Sequence, residues 1–406
     1  MTDTNAGSES WGDVPTMECR VCEVDVPAGA FCGLCGAHLS HQRGDGPQWL
    51  RIRAYGAAPG EHVLRLSVVS SLFPHLPQRS RTPFRVGLAI VLLALVVFAL
   101  LRWQAPLIAV SALGLPLLFQ LYLQESDVYH DLPVRLLALT AALGVGFGVG
   151  WALLTGGMVA RSYGLALDAG MTWERVLRDG LAIPLGGAIL MLLPAVLVRA
   201  FRPPTRESLD GFLIGGLSAI SFTTAATLTR LAPQFATGMV ASGRPVSHLL
   251  VEAGIRGVAV PLTSAAVGGL IGAALWFTGR ADPSHNHRRR ALAALGVGVV
   301  VVLAVYVGLG FIDLVRLPQG LQLGLHLVVT VIALFALRIG LHLALMHEAH
   351  EPSTGEPLLC PHCGHVVPDM AFCPNCGVAT RASSRSSRTA RRLARPTPTD
   401  TPPEGA

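Results

Sequence analysis

Val86-Gly-Leu-Ala-Ile-Val-Leu-Leu-Ala-Leu-Val-Val-Phe-Ala-Leu-Leu101 contains no polar side chain. Extended to the about 20 residues that a helix needs to cross the hydrocarbon layer, such a run has lipid as its solvent. It opens an apolar block that begins near Phe84 and continues to about Met346, broken only by short polar stretches. Spans are predicted at roughly 84–103, 105–123, 135–155, 180–200, 210–230, 257–278, 291–312 and 321–345. Backbone polar groups must be satisfied within the segment in lipid, so the fold class is an all-α polytopic membrane helix bundle of about eight transmembrane helices. Two small polar modules flank it.

Composition agrees: of 406 residues, 51% are hydrophobic and only 14% charged. No lysine occurs, so the net charge of +6 is carried by arginine. That removes Schiff-base, P-loop and general-base lysines from consideration. The start of the chain is acidic and polar, so a cleavable signal peptide is not expected and the first span is expected to drive insertion.

All eight cysteines lie outside the block. Cys19-Arg-Val-Cys22 is followed, after nine intervening residues, by Cys32-Gly-Leu-Cys35-Gly36. Cys360-Pro-His-Cys363-Gly364 and Cys373-Pro-Asn-Cys376-Gly377 repeat the spacing, and Val26-Pro-Ala-Gly-Ala-Phe31 is echoed by Val367-Pro-Asp-Met-Ala-Phe372. Paired CxxC knuckles at this distance are the pattern of a ribbon in which four thiolates surround one ion, so two structural Zn2+ ions are the expected cofactors. Two disulfides per module or a redox-active CxxC are the competing readings; no thioredoxin-like βαβ context accompanies either. Glycine follows three of the knuckles because the turn needs positive φ; Glu23 stands at the fourth and is expected to loosen it. His38, His362 and His365 are read as exposed bystanders of completed thiolate sets.

The expected domains are a disordered leader (1–18), an N-terminal ribbon (19–40), a linker (41–83), the bundle (84–346), a C-terminal ribbon (358–378) and a disordered basic tail (379–406). Within the linker, 49–53 and 62–69 alternate as a short hairpin would. Thiolates bind metal best where they are not oxidised, and an even number of spans returns both ends to one side. Arginines weight that side modestly: Arg79, Arg81 and Arg85, which are expected among headgroups, then Arg135, Arg199, Arg202, Arg206, Arg280 and Arg288–Arg290. Both termini are therefore expected in the cytosol, with the chain in the cytoplasmic (inner) membrane of a bacterium. Stretches near 163–178 and 247–256 mix apolar and charged residues as interfacial helices do.

Small-xxx-small spacing recurs at Gly144/Gly148, Gly146/Gly150, Gly211/Gly215 and Gly268/Gly272, which suits close helix packing within the chain or a homo-oligomer face. Few ionisable groups reach the interior. Glu252, Arg256 and Asp313 fall near span ends, and only His326 and Arg338 sit deep. Ser218, Ser221, Thr223, Thr224, Thr227 and Thr229 give the fifth span a hydroxyl face, for a polar cavity or for bonds to helix backbone.

The run Leu181-Ala-Ile-Pro184-Leu-Gly186-Gly187, a basic break at 199–206, Asp210-Gly211-Phe-Leu-Ile-Gly215 and Ser221-Phe222 resembles the PrsW family of intramembrane proteases over roughly 180–345. The resemblance implies an EExxK motif where this chain has Gly186, Gly187 and Leu190, and a later glutamate where it has Ala226. His326 matches the family's histidine in the last helix. Without paired carboxylates no general base activates water, so the resemblance implies a relative without catalysis.

The expected function is a non-catalytic binding, regulatory or scaffold component, with membrane lipid and a protein bound through the ribbons as partners. A PrsW-like protease and a small-solute transporter are the alternatives; the transporter lacks broken-helix pairs and buried charge. The ribbons lack the interleaved basic and aromatic residues that nucleic-acid binding uses. No catalytic residue is assigned.

Overall fold

The computed structural model describes residues 15–40, 55–58, 61–74, 76, 78–126, 128–163, 176–201, 207–235, 243–277, 285–315, 317–348, 357–360, 362–368 and 370–394. Eight helices in it are long and apolar enough to cross a membrane: Ser80–Leu100, Gln104–Glu125, Val134–Gly157, Leu177–Ala200, Ser208–Phe235, Val246–Trp276, Leu295–Leu314 and Gln319–His347. They are numbered here as spans one to eight. Each overlaps an expected span. The stretch near 247–256, expected as a separate interfacial helix, continues into span six, and much of 163–178 lies outside the described residues.

Span six is one helix with a widened turn, α over Val246–Ala253, π over Gly254–Ala259 and α again over Val260–Trp276. Span four likewise opens with a π turn, Val176–Ala182. In both cases proline stands two residues past the π turn, Pro184 and Pro261. Proline offers no N–H and its ring presses on the preceding turn, so the helix widens ahead of it.

Spans five and six form the centre, and glycine decides how. A Cβ on Gly211 would lie 2.3 Å from the Gly272 carbonyl oxygen, and one on Gly215 would lie 2.1 Å from that of Gly268. The backbones therefore touch over two turns, as small-xxx-small spacing on both helices allows. Gly144 and Gly148 of span three bring it onto Ser218, Phe222 and Ala225 in the same manner. Gly146 and Gly150, one face round, meet nothing within 4 Å. Large side chains that spans one and seven leave exposed, such as Ile90, Leu93, Val297 and Val300, mark the faces turned to lipid.

One end of the bundle carries the extramembrane parts. The short helix Val68–Leu72 and the residues around it pack into that end, with Phe73 ringed by Phe84, Phe119 and Tyr122 at 5.0–6.4 Å. The hairpin expected over 49–53 and 62–69 does not form in its described half, because Val69 and Leu72 bury on one face of that helix instead. Residues 41–54 lie outside the described residues. Arg81, expected among headgroups, is buried and donates to the Ala57 carbonyl at 2.7 Å, whereas Arg85 is exposed.

Two of the regions expected to be disordered carry order where they are described. Thr16–Glu18 pairs antiparallel with Asp25–Pro27. Arg385–Leu393 is a helix, capped by the Ser384 hydroxyl and, at its first N–H groups, by the carboxylate of Asp131, which ends the short helix Val128–Asp131 between spans two and three. Its arginines are the reason it forms here. Arg388 reaches Glu207 at 2.6 Å and Arg385 reaches it at 3.1 Å, so a basic segment that cannot order alone does so against fixed carboxylates. Burial works to raise the Glu207 pKa, but Arg388 and its neighbours outweigh it and hold that carboxyl below the usual range.

Candidate metal centres

Each ribbon is built from two knuckles with one hydrogen-bond pattern. The first cysteine accepts from the residue four positions on: Glu23 N–H to Cys19 at 2.7 Å, Gly36 to Cys32 at 2.9 Å, Gly364 to Cys360 at 3.0 Å and Gly377 to Cys373 at 2.9 Å. The donor has positive φ every time, +56° at Glu23 and +69° to +71° at the glycines. Glu23 is therefore held in the turn that glycine takes elsewhere, at a conformational cost of about 1–2 kcal/mol.

The sulfurs converge. Cys19 and Cys35 Sγ are 3.7 Å apart, Cys22 and Cys32 3.8 Å, Cys360 and Cys376 3.6 Å, and Cys363 and Cys373 3.8 Å. In each quartet all four sulfurs lie within 4.8 Å of one another. None is bridged, since a disulfide would need about 2.05 Å. Leu34 and Cys35 N–H groups point at Cys32 Sγ from 3.4 and 3.5 Å, the arrangement that stabilises a thiolate. Both quartets suit a thiophilic metal ion, and among the described residues no other cluster of three or more His, Cys, Asp or Glu ligand atoms converges this way. Of the histidines read as exposed, only His365 is. His38 stacks on Phe31 with centroids 4.0 Å apart, and His362 is half-buried, where desolvation lowers its pKa to about 4.

Sequence reasoning allowed the ribbons to lie side by side on the bundle but did not foresee the contacts that make them one unit. Phe31 N–H donates to the Pro374 carbonyl at 2.9 Å, and the equivalent Phe372 N–H donates to the Gly33 carbonyl at 2.9 Å. A Cβ on Gly377 would meet the Phe31 ring at 2.6 Å, and one on Gly36 the Phe372 ring at 2.8 Å. The pairing is a local twofold between the repeats, each phenylalanine laid across the other ribbon's second knuckle. The repeated Val-Pro…Ala-Phe-Cys phrase was the available signal. It read as a duplicated module, but nothing in spacing says that two modules touch.

Phe372 also carries the pair onto the bundle. It is fully buried, 6.5 Å from the His342 ring of span eight, and Ala379 N–H donates to Gly56 at 2.7 Å. Glu348, just past span eight, accepts from the Ser208 N–H at 2.6 Å and from its hydroxyl at 3.0 Å, so it caps span five. Burial raises its pKa to about 7.

The residues carried over from the family resemblance form no catalytic group. Gly186 and Gly187 face Trp151, whose ring would lie 2.5 and 3.0 Å from a Cβ at either position. The indole fills the space that two glutamates would need. Ala226 is buried and apolar. The His326 side chain is buried, but towards the end of the bundle, with Nε2 3.0 Å from the exposed Asp313 near the end of span seven, and this is a hydrogen bond between helices. Three of the six span-five hydroxyls bond to backbone, Ser218 to Met191 at 2.6 Å, Thr224 to Ala112 at 3.1 Å and Thr229 to Ala225 at 2.8 Å, whereas the buried Thr223 hydroxyl has no hydrogen-bond partner. Compared with family models, with curated proteins and with solved structures, the chain matches none.

Proposed function

We propose that this chain is a non-catalytic component of the cytoplasmic membrane whose paired zinc ribbons present a metal-stiffened docking surface for a cytosolic protein. The observation that carries it is the reciprocal pairing of two four-cysteine modules on one end of an eight-span bundle. A sulfur tetrahedron with Zn–S bonds of about 2.3 Å has edges of about 3.8 Å, which the closest sulfur pairs in both ribbons approach. The ribbons bury little apolar surface of their own, a handful of residues such as Val26, Ala37 and Leu39 or Val367, so metal supplies their folding energy. Unbridged thiolates and the arginine bias favour the cytosol for that end. The PrsW resemblance fits a relative that keeps the helix rhythm and has Trp151 where the acids would act.

Elemental analysis of the purified full chain should find two zinc ions. Proximity labelling from the C-terminal ribbon should enrich a cytosolic protein that is lost when residues 358–380 are deleted. Metal-free protein with folded ribbons, or reporter fusions placing the two ends on opposite sides, would refute the reading. Hydrolysis of a membrane peptide by the purified chain would replace it with the protease alternative.

A further inference from the structure

Arg338 is completely buried, nine residues before the end of span eight, or about 14 Å along the helix. A cation there is costly unless paired, and its partners would ordinarily come from neighbouring spans. Here they do not. Its Nε donates to the Val63 carbonyl at 2.8 Å, its Nη2 to Glu61 at 2.9 Å and to the His62 carbonyl at 3.1 Å, and its Nη1 to Ser71 at 3.4 Å. The Tyr55 ring covers the guanidinium at 3.8 Å. Every one of these groups precedes the first span. The bundle therefore contains a guanidinium site filled from outside by a loop of residues 55–58 and 61–66 and the helix behind it.

Among the described residues, buried Arg338 and Arg81 and the exposed Arg85 approach one carboxylate, that of Glu61, at 2.9, 4.0 and 3.7 Å. The loop is held from its outer side by the ribbons. Gly56 lies between them and the bundle, its N–H donated to His342 Nδ1 at 3.1 Å and its carbonyl accepting from Ala379 at 2.7 Å. A Cβ at Gly56 would stand 3.3 Å from the Phe372 ring.

We propose that the mouth around Arg338 is a binding site for a turn-forming peptide segment that presents a carboxylate beside two main-chain carbonyls, and that the loop is its built-in occupant, latched by the C-terminal ribbon. The site recognises what the loop offers: one carboxylate, two consecutive main-chain carbonyls and an aromatic ring over the guanidinium. An anionic lipid headgroup would match the charge but not the carbonyl pair. The latch rests on the ribbon being folded around metal, so the test acts on the latch without touching a cysteine.

Ala379 has φ −65° and ψ 133°, a conformation proline adopts without strain, so Ala379→Pro removes one N–H and presses its ring on the Gly56 carbonyl. The full chain, wild type and Ala379→Pro, is placed in zwitterionic lipid nanodiscs. Zinc content, hydrogen exchange of the loop and binding of a fluorescent peptide of residues 55–66 are then measured. Expected are unchanged zinc content, loop exchange at least tenfold faster in the variant, and peptide binding to the variant at least tenfold tighter than that of the same peptide with Glu61→Gln. Unchanged loop protection, or equal binding of the two peptides, overturns the proposal. Displacement of the peptide by anionic lipid, but not by excess unlabelled peptide, overturns the ligand class. A wild-type chain devoid of zinc would refute the ribbon reading, and the peptide comparison on the variant would still decide this one.

Discussion

Glycine at two sets of knuckle positions does two different jobs, and the difference can be measured. Gly364 needs positive φ but meets nothing within 4 Å, so Gly364→Ala carries the conformational cost alone. That is about 1–2 kcal/mol, which metal affinity shows as roughly a five- to thirtyfold loss because folding and binding are one step. Gly377 needs the same φ and also lies under Phe31, where the added methyl would sit 2.6 Å from a ring carbon. Gly377→Ala adds overpacking of about 1–3 kcal/mol and should part the ribbons as well. Glu23 already carries the strain at the open position, so Glu23→Gly should tighten the N-terminal site by about 1 kcal/mol, near fivefold. The assay is zinc transfer from the full chain to a chromophoric chelator, with the two sites assigned by Cys22→Ser and Cys363→Ser backgrounds. Equal losses for Gly364→Ala and Gly377→Ala would refute the pairing argument. No gain for Glu23→Gly would refute the strain argument.

Gly215→Leu should drive spans five and six apart, because even a Cβ there would overlap the Gly268 carbonyl, and should abolish monodisperse purified protein; Gly150→Leu, on an open face, should leave yield and oligomeric state unchanged by light scattering. Glu207→Gln removes the carboxylate that pairs with buried Arg388 and should loosen the C-terminal helix by about 3 kcal/mol, seen as roughly hundredfold faster trypsin cleavage after Arg391. For Glu348 the folded pKa of about 7 stands above the 4.5 of the unfolded acid, so the folded state binds the extra proton. Stability around it is therefore greatest below about pH 4.5 and falls as pH rises to about 7, by roughly 3 kcal/mol. Opening free energies from hydrogen exchange at Ser208 should show that slope in the wild type and lose it in Glu348→Gln.

The bundle was legible because its signal is long and needs no partner: an apolar run of spanning length states a helix whatever surrounds it, and Val86–Leu101 is such a run. The cysteine quartets were legible for a similar reason, since knuckle spacing is local and four thiolates close on themselves. What the sequence did not show is everything that depends on complementary surfaces. Arg81 was assigned to headgroups because a basic residue before a span usually sits there, and the Ala57 carbonyl that holds it inside has no sequence signature. The tail read as disordered because its composition cannot bury a core; its order comes from Asp131 and Glu207, two acids more than 170 residues away. Glu23 keeps the backbone strain that its position implied, and the open space at the equivalent Gly364 shows why that knuckle has room for a side chain.

The buried polar groups follow one rule that bears on how this chain folds. At the ribbon end, Arg338, Glu207 and Glu348 take partners far away in sequence and Arg81 one 24 residues back; each partner belongs to an extramembrane segment or to the start of a span beneath one, and one Glu348 oxygen stays without a hydrogen bond. At the opposite end, the polar contacts join neighbouring helices: Gln104 to Gln234 at 2.6 Å, Gln319 to His248 at 2.6 Å and His326 to Asp313 at 3.0 Å. The far end can thus complete itself as soon as the spans are inserted, whereas the ribbon end leaves Arg338 and Glu207 uncompensated until the loop and the C-terminal helix arrive. Unpaired buried charge costs several kcal/mol, so the two ribbons are not ornaments on a finished bundle. They close it, and their metal should govern the stability of the membrane end beneath them more than that of the end across the bilayer.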